Sequence, residues 1–339
     1  MNNEQDPSDF LRMIRESPGQ FRVGMDCARG ISVEGTFDKI MISGMGGSAL
    51  PANLLRIYLD DLFQKNNGRS VSIYQNRFYT LPKESYENCL NIISSYSGNT
   101  EETLASFEEA RLAHLPIIGI SAGGKLEELC KKYDIPHILL PLPSAHFQPR
   151  IGTGYFFGAL IRVLATQGLV RDTEEDMLAS ALRLEEAVPE LEESGRKLAK
   201  KLAGKTPVVY ASPKYKAVAM VWKIKFNENA KTPAFWNFFP ELNHNEMVGF
   251  TNPQGAFAVI MLRDKEDHPR NLKRFEATAD LLRAQGTEAT IIDMGGSGVF
   301  EKMFRTILLG DFASYALALE YGTDPTPVVL VEKLKKMLA

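Results

Sequence analysis

Cysteine is scarce in this chain: Cys27, Cys89 and Cys130 are the only three among 339 residues. An odd number so widely spaced argues against a disulfide framework and against a cysteine-built metal site. A dominant sign of charge is missing as well. With 39 Lys and Arg against 42 Asp and Glu, the net charge is -3, which marks the chain for neither nucleic acid nor an anionic membrane. No apolar run approaches the roughly 20 residues that cross a bilayer. The opening stretch MNNEQDPSDF lacks the basic start and apolar core of a signal peptide, so the expected compartment is the cytoplasm. What is present is ordinary for a globular protein: 44% hydrophobic and 24% charged residues. The length suits two domains, each with a full core.

Short apolar runs at 39–44 (KIMISG), 70–75 (SVSIYQ), 89–95 (CLNIISS), 115–121 (LPIIGIS) and 136–143 (PHILLPLP) read as buried strands. Helical periodicity separates most of them, and that alternation predicts a parallel sheet covered by helices on both faces. Long helical periodicity then fills 155–203. Strand and helix alternate again from 206, with strands at 206–213, 255–263 and 288–295. The expectation is α/β: two doubly wound parallel-sheet domains, the second a degenerate repeat of the first. Their bounds are drawn at 1–152 and 204–339, with connecting helices at 153–203. The copy keeps the strands but loses the glycines and a cluster of hydroxyls, so one half binds something that the other does not.

That cluster is SSYSGNTEET at 94–103, where a strand becomes a helix. A second loop, SGMGGSAL at 43–50, follows the first strand. Gly44, Gly46, Gly47 and Ala49 fit G-x-G-x-x-A, but the dinucleotide reading also wants an acid at the end of the second strand. That strand ends in Gln75 and Asn76. A small anion suits the two loops better. Ligands of open parallel sheets gather beyond the carboxyl ends of the strands, where helix N-termini offer amides and partial positive charge. Ser48, Ser95, Ser97 and Thr100 supply hydroxyl donors there, and Gly47 with its neighbouring glycines allows close approach. The plainer reading, small residues that make turns and cap helices, competes for each loop taken alone. Glu101 and Glu102 would repel a dianion and are expected to point away. Asn99 with Glu102 reads as a capping pair.

GMGGSA and SYSGNTEET in a two-copy α/β chain look like the sugar isomerase fold that binds phosphosugars. KFNENAKTPAFWNFFPELNHNEMVGF at 225–250 and YGTDPTPV near the C-terminus resemble the bifunctional phosphoglucose/phosphomannose isomerases. That resemblance implies two sugar isomerase (SIS) domains and interconversion of glucose 6-phosphate or mannose 6-phosphate with fructose 6-phosphate. It also implies a homodimer that uses neither metal nor cofactor, and hexose 6-phosphate as the partner.

It further implies roles for particular residues. Glu228 is the base that takes the C2 proton, and Phe226, Phe235 and Trp236 are its expected desolvating neighbours. Glu241 and Glu246 are its rivals. His244 opens the sugar ring and reaches the partner subunit's site, a task suited to an imidazole near neutral pH. Arg150 steadies the enediolate. Thr326 and Lys333 occupy the positions of a glutamine and an active-site lysine in phosphoglucose isomerases. Threonine there is associated with accepting both C2 epimers. Thr326 also reads as the N-cap of the last helix, with Pro327 at its first position. Lys333 borders that helix's apolar stripe, and Lys335 is the alternative. Two other classes fit the fold less well. A non-catalytic phosphosugar-binding regulator of the SIS type needs no Glu228, His244 and Lys333 together. A glutamine-dependent amidotransferase needs an N-terminal cysteine.

Overall fold

The computed structural model describes residues 4–66 and 71–338. The expected polar lead at 1–3 and the first residue of the 70–75 strand lie outside the described residues. Contacts group the chain into two compact units, Glu16–Glu185 and Met1–Arg15 with Glu186–Ala339.

The chain opens with α1 (Phe10–Glu16) and α2 (Gln20–Cys27). Then come β1 (Lys39–Ser43), α3 (Gly46–Asn66), β2 (Ser72–Asn76), β3 (Cys89–Ser94), α4 (Glu101–Leu112), β4 (Ile117–Ser121), α5 (Gly124–Lys132) and β5 (His137–Leu139). The five strands form one parallel sheet in the order β2-β1-β3-β4-β5. All six residues of β3 are buried, as expected for an inner strand covered on both faces. Leu81, Ile93, Phe107, Ile117 and Leu126 form the core on one side.

Next is α6 (Thr153–Thr166), which belongs to the first unit rather than to a separate connector. It is buried at 11 of its 14 positions, the sign of a helix with apolar residues all round. The long helix α7 (Glu174–Leu202) contains the division between the units.

The second unit continues with β6 (Thr206–Ala211), α8 (Lys216–Glu228), β7 (Phe235–Phe238), β8 (Phe257–Arg263), α9 (Pro269–Ala284), β9 (Glu288–Asp293), α10 (Val299–Glu320) and α11 (Val329–Leu338). Its parallel sheet has the order β7-β6-β8-β9. Laid on the first sheet, β6, β8 and β9 take the places of β1, β3 and β4, so the repeat read from the sequence is the repeat in the fold. The strand β7, equivalent to β2, was not expected. FWNFF reads as an exposed aromatic run, but four of its residues form an edge strand and Phe239 enters the core.

The last helix starts at Val329, not at Pro327. Its first turn bonds to the Val328 carbonyl. Thr326 therefore lies before the helix rather than at its N-cap, and its N–H donates to Asp324 Oδ1 at 2.8 Å.

Candidate active site

Strand order in the first sheet reverses between β1 and β3, so their two loops flank the crevice where ligands of such sheets bind. The loops are tied together. Ser94 Oγ donates to the Ser48 carbonyl (3.0 Å), and the Tyr96 N–H donates to Ser48 Oγ (2.9 Å). Ser95 Oγ and Thr100 Oγ1 share a hydrogen bond of 2.9 Å. Ser48 and Ser95 are buried, Thr100 is half-buried and Ser97 is exposed. Thr100 is the N-cap of α4, yet its side chain makes no bond to the helix amides. Its hydroxyl faces Ser95 instead.

Gly47 lies under the short turn Pro149–Ile151. A Cβ at 47 would stand 2.7 Å from the Arg150 nitrogen. The structure thus brings Gly47, Ser48, Ser95, Thr100 and the Arg150 backbone into one cluster. The Arg150 side chain is 1% exposed and donates from Nη1 to Gln148 Oε1 at 3.0 Å.

Asn99 does not pair with Glu102. Its Oδ1 accepts the Lys125 N–H at 3.0 Å and so caps α5. Ser97 Oγ accepts the Asn99 N–H at 3.2 Å. Packing enforces this arrangement. Gly98 has φ +67, and a Cβ there would fall 1.9 Å from the Gly123 carbonyl oxygen. The Tyr79 pKa is raised by burial first and then by the charges of Glu101 and Glu102.

The second sheet reverses between β6 and β8, and there the equivalent crevice is filled from within. Ser43 pairs with Ile93 at the end of β1, and Ala211 pairs with Leu262 at the end of β6. By that register Asp264 stands where Ser95 stands. Its carboxylate accepts from Lys302 Nζ (2.7 Å), Tyr215 Oη (3.0 Å) and the Glu266 N–H (3.0 Å). Burial pushes the Asp264 pKa up, but these donors and the lysine charge outweigh it and hold the carboxyl below its ordinary range. A resident carboxylate with its own counter-ion explains why this half has no hydroxyl cluster: its anion is part of the chain. Setting the two strand ends in register would have shown this in the sequence.

Glu228 ends α8, and three contacts fasten that helix to α10. Trp222 Nε1 donates to the Thr306 carbonyl (2.9 Å), Lys225 pairs with Asp311 (2.6 Å), and Asn229 Nδ2 donates to Ser314 Oγ (2.9 Å). Lys225 is 1% exposed, so its charge requires the nearby carboxylate. Sequence reading missed Asp311 and Ser314, which lie some 85 residues from their partners. Of the aromatics expected around Glu228, Phe226 is buried against Trp222 with ring centroids 6.1 Å apart, and Phe235 is 55% exposed. Glu228 itself is half-buried.

The segment carrying Thr326 is held to the end of α8. Lys231 Nζ donates to the carbonyls of both Glu228 and Pro325. The rival Glu246 is engaged by Tyr210 Oη (2.7 Å) and by Asn237, which ties its loop to β6 and β7. Glu241 accepts from Asn245 at 2.8 Å. His244 ends a short 3-10 turn and is exposed. Lys333 is exposed on α11, a helix with no buried residue, so its apolar stripe is not a buried face of this chain. Lys335 pairs with Glu332 at 2.8 Å.

Two sheets with matching order, one with a hydroxyl-lined reversal point and one with that point filled, define a tandem sugar isomerase protein. Residues 191–338 match the profile of the bacterial phospho-glucose isomerase C-terminal SIS domain. The chain is 37% identical to the bifunctional phosphoglucose/phosphomannose isomerase of Caldicellulosiruptor bescii, over 97% of this chain and 99% of that one. It is 32% identical to the enzyme of that name from Aquifex aeolicus, over 88% and 90%. A crystal structure from Clostridium difficile 630 shares the fold at a TM-score of 0.73 and 15% identity, covering 96% of this chain and 97% of that one. The chain belongs to the bifunctional phosphoglucose/phosphomannose isomerase family.

Proposed function

We propose that the protein interconverts glucose 6-phosphate and mannose 6-phosphate with fructose 6-phosphate through a cis-enediol. The observation that carries this reading is the hydroxyl cluster at the first reversal point of a chain that belongs to this family. The substrate phosphate is bound by the hydroxyls of Ser48, Ser95, Ser97 and Thr100, with Gly47 allowing close approach. The first-turn amides and positive end of α4 add to that binding. His244, assisted by Lys333, opens the ring. Glu228 carries the proton between C2 and C1, and Arg150 steadies the enediolate charge. Thr326 leaves room for both C2 epimers.

The working form is a homodimer in the cytoplasm, with His244 serving the partner's site. Two findings support this part of the reading. Among the described residues, no helix is long and apolar enough to cross a membrane. Leu330 and Met337 on α11 are 81% and 83% exposed, an apolar face of the kind that a second copy covers.

The test is turnover of both aldose phosphates to fructose 6-phosphate, side by side, with Glu228→Gln as the reference variant. The variant is expected to lose about 10²- to 10⁴-fold in kcat, the usual contribution of a general base, with its circular dichroism unchanged. Binding of glucose 6-phosphate without turnover by the wild type would leave a phosphosugar sensor instead.

A further inference from the structure

A single ammonium group joins the end of α8 to the segment before α11. Lys231 Nζ donates to the Glu228 carbonyl and, at 2.9 Å, to the Pro325 carbonyl. The first acceptor is among the carbonyls that a helix C-terminus leaves without an internal partner. A cation there is also favoured by the helix dipole. The second acceptor belongs to the peptide unit that leads into Thr326. The N–H of that same unit donates to Asp324 Oδ1 at 2.8 Å. Both ends of the peptide before Thr326 are therefore held, one by a lysine and one by an aspartate. Thr326 is 4% exposed, so its side chain has little freedom once that peptide is set.

The backbone adds a second observation. Lys231 has φ +55, the left-handed region where glycine is the usual residue after a helix. The turn has other support, because Asn227 Nδ2 donates to the Thr232 carbonyl at 2.9 Å. A side chain at 231 makes the turn harder to form. What it provides in return is an ammonium between two carbonyls.

We propose that Lys231 is a positioning residue for the isomerisation, one that sets the spacing between the Glu228 carboxylate and Thr326. It thereby governs how evenly the two C2 epimers are handled. The inference rests on the reading of Glu228 as the base and Thr326 as the residue beside C2. Lys231 acts through the Glu228 and Pro325 carbonyls, so its influence is expected on the rate and on epimer preference rather than on substrate affinity.

Full-length Lys231→Gly and Lys231→Arg, compared with Glu228→Gln, provide the test. Glycine keeps the left-handed turn and removes the side chain with its ammonium, and with the left-handed strain relieved this variant is expected to melt at or above the wild-type Tm. Its kcat on fructose 6-phosphate is expected to fall about 10- to 100-fold, as a displaced base would produce. KM should stay within about twofold, and the ratio of kcat/KM for glucose 6-phosphate to that for mannose 6-phosphate should shift by about threefold or more. Arginine, which keeps a cation and its donors, should restore most of the rate and the ratio. Wild-type kcat and epimer ratio in Lys231→Gly, with Glu228→Gln inactive, would overturn the role of Lys231 and leave Glu228 as the base. A Lys231→Gly protein that loses Tm, kcat and KM together would show a merely structural lysine and overturn it as well. Full activity in Glu228→Gln would overturn the reading beneath it.

Discussion

At the scale of single residues, hydroxyls mark the first crevice and a carboxylate marks the second, and each makes a separable prediction. Thr100 Oγ1 lies 2.9 Å from Ser95 Oγ and faces the loop rather than its own helix. Thr100→Val keeps the shape and removes the donor. Losing one hydrogen bond to a charged group is worth about 1.5–3 kcal/mol, so KM for fructose 6-phosphate should rise by about tenfold or more while kcat changes little. An unchanged KM would remove Thr100 from the phosphate site. Asp264→Asn acts on stability instead. It leaves Lys302, 4% exposed, with only the exposed carboxylate of Glu266 at 2.8 Å. Breaking a buried pair costs about 3–5 kcal/mol. The lower end applies here, and Tm should fall by about 6–12 °C. Calorimetry checks this, and a Tm within 1 or 2 °C of the wild type would mean that Asp264 is not the fixed anion of the second sheet.

At the scale of elements, the strands were legible because buried parallel strands read as unbroken apolar runs. β1, β3, β4, β6, β8 and β9 all fall within the runs expected for them. β7 was missed for a physical reason: it has only four residues, lies at a sheet edge and is partly exposed along its length, so its aromatics look like a surface patch. The site was legible as residue types at strand ends, since the hydroxyls of Ser48, Ser95 and Thr100 sit where strand-to-helix turns must be. What could not be read were pairings across long stretches of chain, such as Lys225 with Asp311 or Lys231 with Pro325. No local spacing encodes them. The loop after β3 also depends on the loop after β4, through Asn99 capping α5 and Gly98 lying against the Gly123 carbonyl. Gly98→Ala would force both a left-handed alanine and a backbone clash. A residue strained in this way costs about 1–3 kcal/mol. The displaced loop should also raise KM, so Tm and KM are expected to move together. Wild-type values for both would show that the two loops are not coupled.

At the scale of the whole molecule, the two units carry different titrating groups and should respond to acid in different ranges. In the first unit His137 Nε2 shares a 2.8 Å hydrogen bond with Ser121 Oγ. Burial lowers the His137 pKa, Glu127 opposes that and Lys131 adds to it. The folded unit thus holds a proton on this ring less readily than the unfolded chain, whose imidazole titrates at about pH 6.5. By linkage its contribution is complete above that pH and is lost as the pH falls through the lower folded value. In the second unit the Asp264 carboxyl is held below its ordinary value. Its contribution is complete above the unfolded carboxylate pKa of about 3.9 and is lost only as the pH falls further. Both tryptophans, Trp222 and Trp236, lie in the second unit, so their fluorescence reports that unit while far-UV circular dichroism reports both. Between pH 7.5 and 5 the thermal midpoint seen by dichroism is expected to fall while the tryptophan midpoint holds, and the tryptophan midpoint should fall below about pH 4. His137→Gln should flatten the first response and leave the second. A tryptophan midpoint that tracks the dichroism from pH 7.5 downwards, or a His137→Gln protein that keeps the early loss, would show that acid sensitivity is not divided between the units in this way.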